Sequence, residues 1–418
     1  MLLRFGVANV RSIHHHIEFS FMAATAIKDK GSDLIRWESG QADVLPVIMV
    51  YGPNASGKSS LYVAIGMLKR HVTESFTRRQ ATDGIDRNHF SLNCDAGDHP
   101  TQIDCDFVVD GVRYHYGFTF DDEQYLKEWL HSYPEGYKRV LYERDGGNVE
   151  FGKSLRGQNA KLSELMRPNA LFLSVAAQGA HAQLTPIYSF FADHIFGQGT
   201  AWDDLRAQRT LGEALDSRLV DLMRSADVGI SDMRVIHEDG DDDASRVSTR
   251  SDRQENTTGA RRRPSKVQFA HRDNLGDSVF FDFSQESRGT RRLAALLAWI
   301  LKVLDAGALM VIDEIDASLH TLLSSKIIEL FSRKESNPNG AQLIAITHDT
   351  HLMRSEVLRR DQIWFVEKNS KGESQLFPLT DIRTRNTDNL EKGYLEGRFG
   401  AVPYVEGIDR FTSTSTDG

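Results

Sequence analysis

The sequence predicts an α/β protein with a mainly parallel central sheet, an antiparallel β subdomain and a helical insertion. Three observations carry this. Asp43–Tyr51 (DVLPVIMVY) is an apolar run of the kind a parallel strand buried on both faces requires, and it enters a Gly/Ser-rich turn followed by a helical pattern. From residue 266 onward, apolar strands alternate with helical stretches, the pattern of layers around a parallel sheet. Residues 101–151 instead read as short alternating strands joined by tight turns.

The elements follow in order. LLRFGVANV and HHHIEFSF alternate like β structure, so the triplet His14-His15-His16 reads as part of a strand-like stretch rather than a tag. After the turn, SLYVAIGMLKRHV is helical. TQIDCDFVVDG, VRYHYGFTF, YKRVLYERDGG and NVEF are strands, with Asp110-Gly111 and Gly146-Gly147 as hairpin turns. Residues 155–227 read mainly as helices with polar loops. KVQFAH and SVFFDFS are strands, TRRLAALLAWILKVLDAG a long helix, ALMVIDE a strand, LHTLLSSKIIELFSR a helix, and QLIAITHD and DQIWFVEK strands. The expected organisation is an N-terminal lobe over 1–151, a helical insertion over 152–237, a flexible linker over 238–265, a C-terminal lobe over 266–405 and a tail over 406–418. The linker is inferred from composition: between Glu238 and Pro264 one Val is the only aliphatic side chain larger than Ala, too little to offset ordering entropy.

Composition excludes several classes. With 418 residues, 40% apolar and 26% charged, the chain is neither fibrous nor wholly disordered. A net charge of −9 means that nucleic acid would be met by a local patch or through a partner. Cys94 and Cys105 cannot build a disulfide framework and read as free thiols. The most apolar run, Leu293–Leu304, is interrupted by Trp299 and Lys302 and falls short of the ~20 residues needed to span a bilayer, so the expectation is a cytoplasmic protein with no membrane partner. Asp241–Asp243 and Arg261–Arg263 read as solvated charge runs.

Four segments carry chemistry. Gly52-Pro53-Asn54-Ala55-Ser56-Gly57-Lys58-Ser59, followed by Ser60, fits the P-loop pattern between a buried strand and a helix. Its glycines let backbone N–H groups curl around phosphate oxygens at a helix N-terminus. Lys58 is then placed for the β- and γ-phosphates of ATP and the Ser59 hydroxyl for Mg²⁺. Leu309–Glu314 (LMVIDE) is a buried strand ending in two carboxylates at the ligand-facing tip. Asp313 is the candidate Mg²⁺-shell residue and Glu314 the candidate base for the attacking water. Ile346-Thr347-His348-Asp349 ends another apolar strand, making His348 a candidate γ-phosphate contact. Ser287-Arg288-Gly289 opens the long helix and offers a hydroxyl and N–H groups to an anion, or a plain helix cap.

In this order the segments resemble ABC-type ATPases. The start, LLRFGVANVRSI with Asn9-x-Arg11-Ser12, is similar to the RecF, SMC and OLD branch. DQIWFVEK and YLEGRFGAVP resemble the AAA-type ATP-binding proteins of bacterial phage-defence loci, such as the RloA and AbiL ATPase components. The resemblance spans residues 1–405 and implies head-to-tail dimers in which Ser287 and Gly289 of one protomer complete the site holding Lys58 of the other. Asp316 matches the D-loop position between the two sites, and Asn88, His89 and Gln102 are the Q-loop candidates. The signature ESRGT departs from the LSGGQ of transporters.

The resemblance implies an ATP-hydrolysing switch, the ATPase or sensor subunit of an anti-phage system. It would control a separate effector, a nuclease or toxin, with DNA or a phage component as candidate ligand. A RecF-like DNA-repair ATPase is the alternative. A transporter nucleotide-binding subunit is disfavoured by the long span between Lys58 and Ser287, and an OLD-type nuclease by the short chain after Glu367.

Overall fold

The computed structural model describes residues 1–29, 32–37, 43–199, 207–208, 210–212, 215, 217–226, 229–237, 265–317, 319–354, 358–385 and 388–401. The expected linker before Ser265, its runs Asp241–Asp243 and Arg261–Arg263, and the tail over 406–418 lie outside the described residues, as does the Cys94 side chain. The chain divides into two compact units, one of Met1–Thr200 with Val303–Gly418 and one of Ala201–Lys302.

Strands are numbered along the chain. The first unit is built on two sheets. Its six-stranded sheet runs in the order β16 (Ser374–Pro378), β15 (Ile363–Lys368), β3 (Val47–Tyr51), β14 (Gln342–Ile346), β13 (Leu309–Ile312) and β9 (Ile195–Gln198). All neighbours are parallel except β16, which pairs antiparallel with β15. Every residue of β3, β13 and β14 is buried, which is why these strands read as unbroken apolar runs.

The second sheet is antiparallel and seven-stranded, in the order β2 (Ile17–Ser20), β1 (Leu2–Ala8), β4 (Thr101–Val109), β5 (Val112–Phe120), β6 (Tyr125–Tyr133), β7 (Arg139–Asp145) and β8 (Asn148–Phe151). Asp110 and Gly111, both at positive φ, close the two-residue turn between Val109 and Val112. Gly146 does the same at the β7–β8 turn. Helix α1 (Lys58–Glu74) joins both sheets in one core, sharing Leu61, Ile65 and Leu68 with Phe5, Phe107, Tyr116 and Ile48.

In the first unit the structure differs from the sequence reading in four places. His14–His16 lie in the connection before β2 rather than in a strand. The 155–227 region, read mainly as helices, also contributes β9 to the parallel sheet beside β13. β6 and β16 were not anticipated; β6 is disguised because one of its inward positions is a carboxylate, and β16 because it ends in Pro378.

That carboxylate, Glu128, is fully buried and organises the core. Its two oxygens accept from the backbone N–H of Phe172 (2.6 Å) and Leu173 (3.1 Å) at the start of the helix Phe172–Gln178, and from the hydroxyls of Tyr142 (2.7 Å) and Tyr116 (3.1 Å). Arg144 lies 3.9 Å away. Glu128→Ala is expected to cost about 3–5 kcal/mol, because it strands a buried cation and several donors. A denaturant midpoint within error of wild type would contradict this.

The second unit carries an antiparallel sheet of β10 (Asp232–His237), β11 (Ser265–Arg272) and β12 (Ser278–Asp282). The expected strands KVQFAH and SVFFDFS are β11 and β12; β10 was not anticipated. A helix at Arg288–Ala306 follows and runs past the unit's last residue.

Candidate functional site

In the six-stranded sheet, β3, β14 and β13 are consecutive neighbours. The P-loop follows β3, Thr347-His348 follows β14 and Asp313 follows β13, so three segments far apart in the chain meet at the C-terminal ends of adjacent parallel strands. That end of an α/β sheet is where ligands bind.

The loop is tightly backed. Gly52 and Gly57 have φ of 158° and 110°, and a Cβ at Gly52 would run into the Val366 carbonyl oxygen. A Cβ at Gly57 would collide with the hydroxyls of Ser374 and Ser12. Ala55 sits at φ 62°. Behind the loop runs a serine ladder: Ser374 Oγ donates to the Ser56 carbonyl (2.6 Å) and stands 2.8 Å from Ser12 Oγ, and Ser12 Oγ is 2.9 Å from Ser60 Oγ. Ser60 is buried in that ladder, whereas Ser59 is exposed at the N-terminus of α1 and Asn54 is exposed at the loop's tip. Ser56 Oγ is buried without a partner among the described residues.

Lys58 is buried and donates to the carbonyls of Gly52 (2.8 Å) and Pro53 (2.9 Å). Burial pushes its ammonium down to about 8, opposed by the charges of Asp313, Asp316 and Glu314. Partial desolvation, with the Lys58 charge, holds the exposed His348 below its ordinary value, against the three acids. Lys58, Asp313, Glu314, Asp316 and His348 thus share one electrostatic environment.

Asp313 Oδ1 is buried with no hydrogen-bond partner among the described residues, while its backbone N–H donates to Gln198 (3.0 Å). A buried carboxylate oxygen after β13 and an exposed hydroxyl after the neighbouring P-loop turn are oxygen donors of the kind that fit Mg²⁺, a hard cation taking oxygen ligands. Glu314 stands at φ 57°, a left-handed conformation that costs a non-glycine residue of order 1–3 kcal/mol and is concentrated at active sites. Ile315 N–H then donates to the Ile346 carbonyl (3.1 Å), returning the chain to β14. Asp316 Oδ1 accepts from Thr347 Oγ1 (2.8 Å), locking the post-β13 loop to the post-β14 loop.

Ser287 and Gly289 belong to the second unit. Ser287 Oγ accepts from Thr290 N–H (3.1 Å), so the hydroxyl caps the helix Arg288–Ala306, while Ser287, Arg288 and Gly289 are all exposed. Of the Q-loop candidates, Asn88 and His89 line a cavity of about 410 Å³ together with Arg11, Ser12, Lys368 and Gly372. Gln102 is instead engaged with Asp104 (2.9 Å). Asn9 holds the turn beside that cavity, its amide donating to Ala96 (2.9 Å) and His99 (2.7 Å). Ser374 escaped the sequence reading, because its P-loop partner is 318 residues away and no local signal marks it.

The family model described as "AAA domain, putative AbiEii toxin, Type IV TA system" matches residues 47–354, more than half of the chain and every segment from the P-loop to His348. The chain belongs to this family. It is a P-loop ATPase of the AAA type. No curated protein matches it. Among solved structures it is similar to the SMC head domain from Thermotoga maritima, at 15% identity and a TM-score of 0.39, over 90% of this chain and 98% of that one. It is also similar to the Smc head domain with an extended coiled coil bound to the C-terminal domain of ScpA from Pyrococcus furiosus, at 12% identity and 0.42, covering 91% and 97%. The Smc head domain with a coiled coil and joint from Pyrococcus yayanosii gives 11% and 0.42, covering 95% and 99%. Among the described residues no helix is long and apolar enough to cross a membrane.

Proposed function

We propose that the protein binds and hydrolyses ATP in a Mg²⁺-dependent cycle and works as a head-to-tail dimer. The observation that carries this reading is the convergence of the P-loop, Asp313, Glu314 and His348 at neighbouring strand ends. Backbone N–H groups of Gly52–Ser59 cradle the phosphates, and Lys58 leaves the carbonyls of Gly52 and Pro53 to pair with the β- and γ-phosphates. Ser59 and Asp313 hold the metal. When bound, Mg²⁺ neutralises charge on the phosphates and orients them. Glu314, solvent-exposed on its strained turn, polarises the attacking water. His348, held below its ordinary value by partial desolvation and by Lys58, contacts the γ-phosphate. Ser287 and Gly289 complete the partner's site, and Asp316 tunes the seam between the two sites.

Family membership supports the wider reading of this cycle as the switch of an anti-phage system with a separate toxin or nuclease effector. ATP would join protomers and hydrolysis would part them, which makes nucleotide state readable by an effector.

The test is an ATP titration by calorimetry at pH 7 and pH 9. Lys58→Ala is expected to abolish binding. In the wild type, Lys58 at about 8 is mostly neutral at pH 9 and is recharged by the bound triphosphate. Binding therefore takes up close to one proton at pH 9 and little at pH 7, read from buffers of different ionisation enthalpy. Unchanged ATP affinity in Lys58→Ala would refute the P-loop reading.

A further inference from the structure

Outside the nucleotide site, one cluster of ligating side chains lacks a role in the mechanism above. His14 Nδ1, His15 Nε2 and a Glu373 carboxylate oxygen all lie within 4.8 Å of one another. Glu373 Oε1 is 2.8 Å from His14 Nδ1 and 3.7 Å from His15 Nε2. Donors bound at about 2.0–2.2 Å to a tetrahedral ion stand about 3.3–3.5 Å apart, so these separations bracket those of a filled site. Two imidazoles and one carboxylate are a borderline-soft set that selects zinc and its neighbours over magnesium or calcium.

The set is held in place before any ion arrives. The second Glu373 oxygen accepts from Asn369 Nδ2 (2.7 Å), and Asn369 Oδ1 accepts from the N–H groups of Lys371 (2.9 Å) and Glu373 (3.0 Å). This is the outer hydrogen bonding that orients a metal-binding carboxylate. The His14 ring stacks on Phe90 at 4.8 Å, fixing its plane. His14 and Glu373 are largely buried, whereas His15 is exposed, so the open coordination position faces water. His16 takes no part, being paired with Asp104 (3.0 Å). An ion pair would account for His14 with Glu373; it gives no reason for the second imidazole to converge on the same oxygen.

We propose that His14, His15 and Glu373 bind a divalent transition-metal ion of the zinc class. The site joins two segments 359 residues apart in the chain. Its neighbours are the rungs of the serine ladder: Ser374 follows Glu373 and bonds the P-loop carbonyl of Ser56, and Ser12, two residues before His14, bonds Ser374 and Ser60. The bound ion therefore clamps the turn and hairpin on which the back of the P-loop rests.

The experiment uses the full chain, stripped with a chelator, free of nucleotide, and titrated with zinc chloride. Cobalt(II) chloride serves as a coloured substitute. One equivalent of zinc is expected to bind and raise the melting temperature, and cobalt to show the intense visible bands of a four-coordinate site. His15→Ala, at an exposed position, is expected to weaken binding by more than the about 10–100-fold that loss of an outer partner costs. Glu373→Gln does the same, and Asn369→Ala falls within that range. Asp313→Asn should leave the zinc isotherm unchanged. Absence of zinc binding in the wild type, an isotherm unaltered by His15→Ala and Glu373→Gln, or its loss in Asp313→Asn alone would each overturn the proposal.

Discussion

Glu314→Gln is expected to bind ATP with near wild-type affinity and to turn it over about 10²–10⁴-fold more slowly, the range typical of lost general-base catalysis. The substitution keeps size and hydrogen-bonding reach while removing the negative charge. Glu314 accepts a backbone bond from Ala317 through its carbonyl (3.0 Å), and its side chain is exposed, so the variant should fold normally. Slow turnover with intact binding should also accumulate an ATP-bound dimer, visible by size-exclusion chromatography with light scattering. Wild-type turnover would show that Glu314 does not activate the water. Lost ATP binding would instead place Glu314 in ground-state contacts.

Ser287→Arg is expected to leave ATP binding by a single protomer intact while abolishing dimerisation and hydrolysis, because a bulky cation would occupy the γ-phosphate cradle. Mixed with Lys58→Ala, it should recover about one working site per heterodimer. That site combines the intact P-loop of the Ser287→Arg chain with the intact ESRGT segment of the Lys58→Ala chain. The helix cap made by Ser287 Oγ with Thr290 N–H predicts a different outcome: a stability loss of about 1 kcal/mol and no recovery on mixing. ATPase rate against mixing ratio separates the two. A flat background line, with both variants folded and heterodimers present, would refute a role for Ser287 across the dimer.

The P-loop and the residues proposed for the nucleotide site are legible in the sequence because their chemistry is local. A P-loop needs its glycines, Lys58 and Ser59 within one turn, and a strand buried on both faces cannot avoid being a run such as VIMVY or QLIAI. The turns at Asp110-Gly111 and Gly146 were readable for the same reason, since positive φ selects particular residues. β6 hid because Glu128 occupies a core position and because Leu126 is an extra residue against β5, which breaks the period-two signal. β9, of four residues around Gly197, is too short to announce itself.

The sequence by itself determined the fold class, the P-loop, the two carboxylates after β13 and the histidine after β14, each written within a few adjacent residues. Tertiary structure alone decided that β14 lies between β3 and β13, bringing Lys58, Asp313 and His348 to one edge. It also decided that Asp313 Oδ1 is buried without a partner among the described residues, that Ser374 braces the loop, and that Glu373 meets His14 and His15. The physical reason is separation. Sheet order and buried polar pairing are set by contacts across hundreds of residues, whose energy depends on which surfaces are buried together, and no local periodicity records that choice.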